Sequence, residues 1–370
     1  MARILFGLVV FIISFPLLFW NEGRAVKTYQ SLSEGADIVI NVTADKIDKN
    51  NNLKLIHLTD KADTREFLTD KSFAITENAI RLYRQVKTYQ WQEQEGSMTE
   101  KKPDGKELVT KTYTYNKIWS EELINSTNFN QAQDYKNPKI VNFYSQTLRA
   151  KKVTVGAFEL SHELKNKIST ALSIVLSMDK IPQELKNNTT IHDNCFLIKK
   201  NVTNFNKQQL NIGDQCISFK VIKPNNISII AQQINNTFAP FTTTNGKTIS
   251  ILKMGTFSAK SMFEDAENSN LMLSWLLRIA GFVLMMLGIT LIIGPLSKMA
   301  NSIPFIGVVI EFGLIIASSI IALFFSITTI SIAWLGYRPL LSVSIVVLSI
   351  LVFTILYFIK KRKIAAIADK

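Results

Sequence analysis

AWLGYRPLL, residues 333–341, interrupts about fifty residues that are otherwise almost wholly apolar. Its reading decides the topology. Arg338 is either a charge held inside lipid or the marker of a turn between two membrane spans. A helical span needs ~20 mostly apolar residues to cross ~30 Å of hydrocarbon. Leu340–Ile359 supplies such a run without a charge. Ile303–Trp334 supplies more than one, so 303–311 is expected partly at the interface and the span at about 312–334. Trp334 and Tyr337 suit the headgroup layer, and Pro339 suits the first turn of a helix, where a missing N–H costs little. Arg338 therefore reads as an interfacial turn residue.

Two further runs complete the set. Ile4–Trp20 is an N-terminal anchor ending in an interfacial tryptophan. The rival reading is a cleaved signal peptide, with Gly23-Arg24-Ala25 as a small-x-small site. Trp275–Pro295 is a span in which Arg278 lies one turn from the start and can snorkel to the headgroups. The expected architecture is an integral membrane protein with four transmembrane helices, one N-terminal and three C-terminal. These flank a large α+β extracytoplasmic domain. The expected division is 1–21 anchor, 22–271 outer domain, 272–359 bundle (about 275–295, 312–334 and 340–359) and 360–370 basic tail. The basic cluster Lys360, Lys361, Arg362 and Lys363 places the C-terminus in the cytoplasm by the positive-inside rule. Counting back puts the Arg338 turn and residues 22–271 outside (lumenal or periplasmic) and the N-terminus inside.

The 370-residue chain carries a net charge of +13. Nine basic and two acidic residues lie outside 22–271, which leaves a net +6 on the middle domain. That charge is scattered in short pairs such as Lys101–Lys102, so a nucleic-acid surface is not expected. Glu311 is expected at the cytoplasmic interface. Ionisable residues facing the bundle interior, which a transport path needs, are scarce. Small residues mark packing faces instead: Ser318, Ala322, Ser326, Thr329 and Ala333 on one helix, Gly281 and Gly288 on another.

In the middle domain, 36–42, 81–91, 110–119, 216–222 and 247–254 are rich in β-branched and aromatic residues and read as strands. Residues 95–107 read as a polar hairpin tip. Phe158–Met178 reads as a helix, through the stripe Leu160, Leu164, Ile168, Leu172 and Val175. Cys195 and Cys216, in an oxidising compartment, form a candidate disulfide. Seven Asn-x-Ser/Thr sequons occur; in a eukaryotic lumen some would be glycosylated, while a composition rich in Asn, Lys and Ile also yields such sequons by chance.

No catalytic or metal site is expected. His57, His162 and His192 lack metal-ligand spacing. His192-Asp193-Asn194-Cys195 reads as a loop beside the disulfide. Gly246-Lys247-Thr248 lacks the glycine a phosphate loop needs at Phe241. No cofactor is implied.

Several blocks are specific enough to compare with known families. They are FWNEGRAVKTYQSLSEG (19–35), YRQVKTYQWQE (83–93), YTYNKIWSEELINSTNF (113–129), RAKKVTVGAFELS (149–161), GDQCISF (213–219), GTFSAKSMF (255–263), 275–307 and SITTISIAWLGYRPLL (326–341). Together they resemble the LUMA family of four-span membrane proteins over nearly the whole chain. DYKNP (134–138) departs from it, with Lys136 where a histidine is expected. The resemblance implies an N-terminal anchor, a lumenal domain and three C-terminal spans. Animal members reside in the endoplasmic reticulum and inner nuclear membrane, oligomerise, and organise membrane protein complexes that include lamins and emerin. Bacterial relatives would place the protein in an inner membrane without a nuclear role. A homo-oligomeric membrane scaffold is the leading expectation. A channel or transporter and a membrane-anchored ligand sensor are the alternatives.

Overall fold

The computed structural model describes residues 2–101, 107–200, 210–300, 306–339 and 343–344. It contains helices α1 (Ala2–Ile38), α2 (His162–Lys167), α3 (Gln183–Lys186), α4 (Ala259–Ala300) and α5 (Ile306–Tyr337), with 18 strands among the described residues. Two compact units emerge. One gathers Met1–Val39, Pro240–Ile249 and Ser258–Lys370; the other gathers Ile40–Ala239 and Ser250–Phe257.

The first unit holds three helices long and apolar enough to cross a membrane: α1, α4 over Ala259–Gly294, and α5 over Gly313–Tyr337. The expected fourth span at 340–359, like Lys360, Lys361, Arg362 and Lys363, lies largely or wholly outside the described residues. α1 does not stop at residue 21. It continues to Ile38 because its buried positions, among them Leu18, Glu22, Ala25, Leu32 and Gly35, recur at helical steps well beyond the apolar run. The strand expected at 36–42 therefore shrinks to Ile40–Asn41.

α1 and α4 approach at two facing glycines. A Cβ on Gly288 would lie 2.8 Å from Phe11 N and 2.9 Å from Gly7 O, so backbone meets backbone there. A Cβ on Gly281 would collide with the Leu18 side chain. On α5, Ser318, Ala322, Ser326, Thr329 and Ala333 are all buried. The centre of the unit is Leu18, Met285, Ile289 and Ala322. Beside it Phe11, Phe15 and Phe325 pack edge to face at 5.1–5.9 Å.

The second unit is β-rich rather than α+β. One sheet runs in the order Thr237–Ala239, Asn225–Ile234, Leu55–Asp63, Thr154–Val155, Phe158–Glu159. Ile40–Asn41 is added beside Leu55–Asp63, and Ile251–Met254 beside Asn225–Ile234. The other runs Thr189–His192, Cys195–Ile198, Gln215–Ile222, Arg81–Lys101, Glu107–Ser120. Leu172–Ser173 joins Gln215–Ile222, and Gln146–Arg149 joins Arg81–Lys101. Pairing is antiparallel except between Ile40–Asn41 and Ile56–His57. The polar stretch 95–107 is mostly ladder: pairing of Arg81–Lys101 with Glu107–Ser120 extends to Lys101 opposite Glu107. Ile56, Leu58, Phe158, Ile227 and Ile229 centre one core; Phe73, Leu82, Phe196, Ile217 and Phe219 centre the other.

The long helix expected over Phe158–Met178 is not formed. Ser161 caps α2 through Leu164 N, and the helix ends by Ile168, whose backbone is extended. Leu160, Leu164 and Ile168 are buried, but Leu172 joins a strand opposite Val221 and Val175 is 88% exposed. The 3–4 stripe was satisfied by one turn and a half, and strand pairing took the remainder.

Candidate functional site: a buried ion pair between the membrane helices

The membrane unit carries one concentrated polar site, on the turns that follow Trp20 in α1. Trp20 ends the apolar run and is exposed, as an interfacial indole should be. Asn21, Glu22, Gly23 and Arg24 follow at once on a helix that does not break. Glu22 points inward and is 1% exposed. A carboxylate so buried needs a partner. Arg278 of α4 supplies it in bidentate form, Nε donating to Oε1 at 2.6 Å and Nη2 to Oε2 at 2.8 Å. Trp334 of α5 adds a third donor, its Nε1 lying 2.7 Å from Glu22 Oε2. The guanidinium lies 4.9 Å from the Trp275 ring centroid and 5.9 Å from that of Trp334. One carboxylate thus joins all three described spans.

Polar contacts continue outward from it. Asn21 Nδ2 donates to Ser274 O at 3.0 Å, and Arg24 Nη1 donates to Asn270 Oδ1 at 2.9 Å. Asn270 Nδ2 returns a bond to Ala25 O at 2.9 Å. The Tyr337 ring lies where a Cβ on Gly23 would be, so only glycine admits it. Farther along α1, the hairpin formed by Phe241–Thr242 and Thr248–Ile249 grips the helix. Thr244 N donates to both Glu34 carboxylate oxygens at 3.1 Å, and Asn245 Nδ2 donates to Lys27 O at 2.8 Å.

The residues singled out from sequence fall as follows. Arg278 does not snorkel outward; it turns onto Glu22, because a bidentate pair with a buried carboxylate outcompetes solvation of an isolated guanidinium. Arg338 is half-buried one turn past Trp334. Glu311 lies within α5. Glu22 is absent from the sequence-derived interface charges because hydrophobicity puts residue 22 at the start of the outer domain. Its signal was available: an acid and a base each within a turn of a tryptophan-marked span end.

Several polar groups described in the β-rich unit hold its strands and turns together. Cys195 and Cys216 are bonded, with a Cα–Cα separation of 5.5 Å, on neighbouring strands. Asp193 and Asn194, both at positive φ, form the tight turn before Cys195. Lys199 Nζ donates to the fully buried Asp214 at 3.1 Å. Asn137 stands in for a missing strand: Trp91 N donates to its Oδ1 at 2.7 Å, and its Nδ2 donates to Trp91 O at 2.8 Å.

His57 is buried, with Nε2 2.9 Å from Phe257 O and Nδ1 2.8 Å from Asn41 Oδ1. Burial lowers its pKa, and the bond to Phe257 partly offsets this. Among the described residues, no group of three or more His, Cys, Asp or Glu side chains is arranged to hold a metal.

The family model for Transmembrane protein 43 matches residues 88–339. Transmembrane protein 43 of Homo sapiens is 32% identical over 345 residues, covering 90% of this chain and 84% of the relative. The Mus musculus protein is 31% identical with the same coverage. The Drosophila melanogaster homolog is 25% identical, over 91% of this chain and 89% of its own length. No solved structure matches. With its apolar helices at both ends of the sequence, the β-rich unit between them and relatives aligned along most of their length, the chain is an integral membrane protein of the Transmembrane protein 43 (LUMA) family.

Proposed function

We propose that this protein is a non-catalytic, multi-pass membrane scaffold, homo-oligomeric, that organises membrane protein complexes around its outer domain. The supporting observation is how the polar residues of the membrane unit are used. Glu22, Arg278, Trp334, Asn21 and Asn270 bind helix to helix. A fixed bundle of this kind suits a platform. In this reading both termini face the cytoplasm or nucleoplasm, and the β-rich unit faces the lumen or periplasm, where its disulfide is stable.

Chemical crosslinking in native membranes, followed by affinity capture of the full chain in mild detergent, tests the reading. Reproducible homo-oligomers and a constant set of membrane partners are expected. A strictly monomeric protein without partners would refute the proposal.

A further inference from the structure

The helices α4 and α5 leave between them a lateral groove of about 430 Å³. Ile279, Phe282, Leu323, Ile327 and Ile330 wall it, and its surface is almost entirely apolar. Trp275, Arg278 and Trp334 stand at one end. Apolar walls with a cation between two indoles at one end match the build of an amphiphile, a tail with a charged head.

Charge chooses the head. Within about two helical turns of the Glu22 level, the three helices carry Arg24, Lys27, Arg278 and Arg338 against Glu22 alone. The Glu22–Arg278 pair is neutral, so the surrounding collar keeps a positive excess. A guanidinium has five N–H donors. Glu22 takes Nε and Nη2 of Arg278, leaving donors for another oxygen-rich group. The remaining apolar segment of this chain, Leu340–Ile359, contains no acidic residue and brings no counter-charge. A phosphodiester does. We propose that the groove binds one anionic phospholipid, an acyl chain lying between α4 and α5 and the phosphate meeting Arg278, the basic residue that lines the groove.

The test uses the delipidated full chain in detergent, titrated with phosphatidylglycerol or phosphatidylcholine and read by native mass spectrometry. Phosphatidylglycerol should be retained at one equivalent, several-fold more tightly than phosphatidylcholine. Ile330→Phe fills the groove without touching the ion pair and should weaken that retention several-fold. Ile327→Phe serves as the second variant should the first fail to fold. In nanodiscs, phosphatidylglycerol with brominated chains should quench wild-type fluorescence more than that of Trp275→Phe. Equal retention of the two lipids would overturn the proposal. So would retention unchanged by the folded filling variant, or equal quenching of wild type and Trp275→Phe. An efficient disulfide between Ile327→Cys and Val347→Cys in native membranes would also overturn it, since the chain's own apolar segment would then fill the groove.

Discussion

Glu22 is a buried carboxylate on a membrane helix, and its three hydrogen bonds explain why it is tolerated. Removing one member of such a pair leaves the other charge stranded, at a cost on the order of 3–5 kcal/mol, whereas replacing both is often close to neutral. Glu22→Gln should therefore lower the unfolding temperature in detergent sharply, and Glu22→Gln with Arg278→Met should recover most of the loss. Thermal unfolding of the three proteins distinguishes these outcomes. His57 gives a pH effect. Its folded pKa is below the ordinary 6.5, so as pH falls the unfolded chain takes up the proton first. Stability should be level well above that value and decline as pH drops from about 6.5 toward the folded pKa. Hydrogen exchange around Asn41 and Phe257 between pH 7.5 and 5.5 should reveal the decline, and His57→Gln should flatten it. His57's partners were not legible in the sequence; of Glu22 and Arg278 the sequence shows two charges beside tryptophan-marked span ends, but not that they pair. Partners 256 residues apart leave no local periodicity.

At the scale of elements, what was legible was whatever has a period. The strands near 81–91, 110–119 and 216–222 show as β-branched and aromatic runs, and the apolar helices show as length. Phe158–Met178 misled because six residues of helix, a capping serine and two strand residues imitate a 3–4 stripe when read together. Close packing of helices was visible on α4 as Gly281 and Gly288. Its counterpart Gly7 was not, because one glycine in an apolar run carries no spacing. The contact yields a controlled prediction. Gly288→Leu places a side chain against the backbone of α1 and should cost about 1–3 kcal/mol through forced displacement. Gly313→Leu, whose Cβ has nothing within 4 Å among the described residues, should be silent. Resistance to unfolding in detergent compares the two. For the disulfide, replacing both Cys195 and Cys216 with serine reopens a loop of 21 residues. About 3 kcal/mol should be lost in the chain-entropy account, measured as a drop in denaturant midpoint against wild type.

For the whole molecule, sidedness is the property from which the rest of the proposed function hangs. Gly336→Cys, beside Tyr337, should react with a membrane-impermeant maleimide added from the lumenal or periplasmic side of sealed vesicles. Labelling from the cytoplasmic side alone would invert the proposed topology. The sequence separated apolar ends from a polar middle but put the boundaries at the edges of hydrophobicity. In the structure α1 and α4 extend as helices well past their apolar runs, and the 240–249 hairpin groups with them in one compact unit.

The Glu22–Arg278 bond also imposes a schedule on biosynthesis. The two residues are separated by 256 positions, so α1 must leave the ribosome long before its counter-ion exists. At translation speeds of roughly 5–20 residues per second, that interval lasts on the order of ten to fifty seconds. Through it the newborn anchor carries a carboxylate whose bidentate partner has not yet been made. It must stay near the headgroups until α4 arrives. The bond that fixes the finished bundle is thus among the last that can form, and a ribosome stalled inside the β-rich unit leaves an anchor marked as incomplete by its own exposed acid.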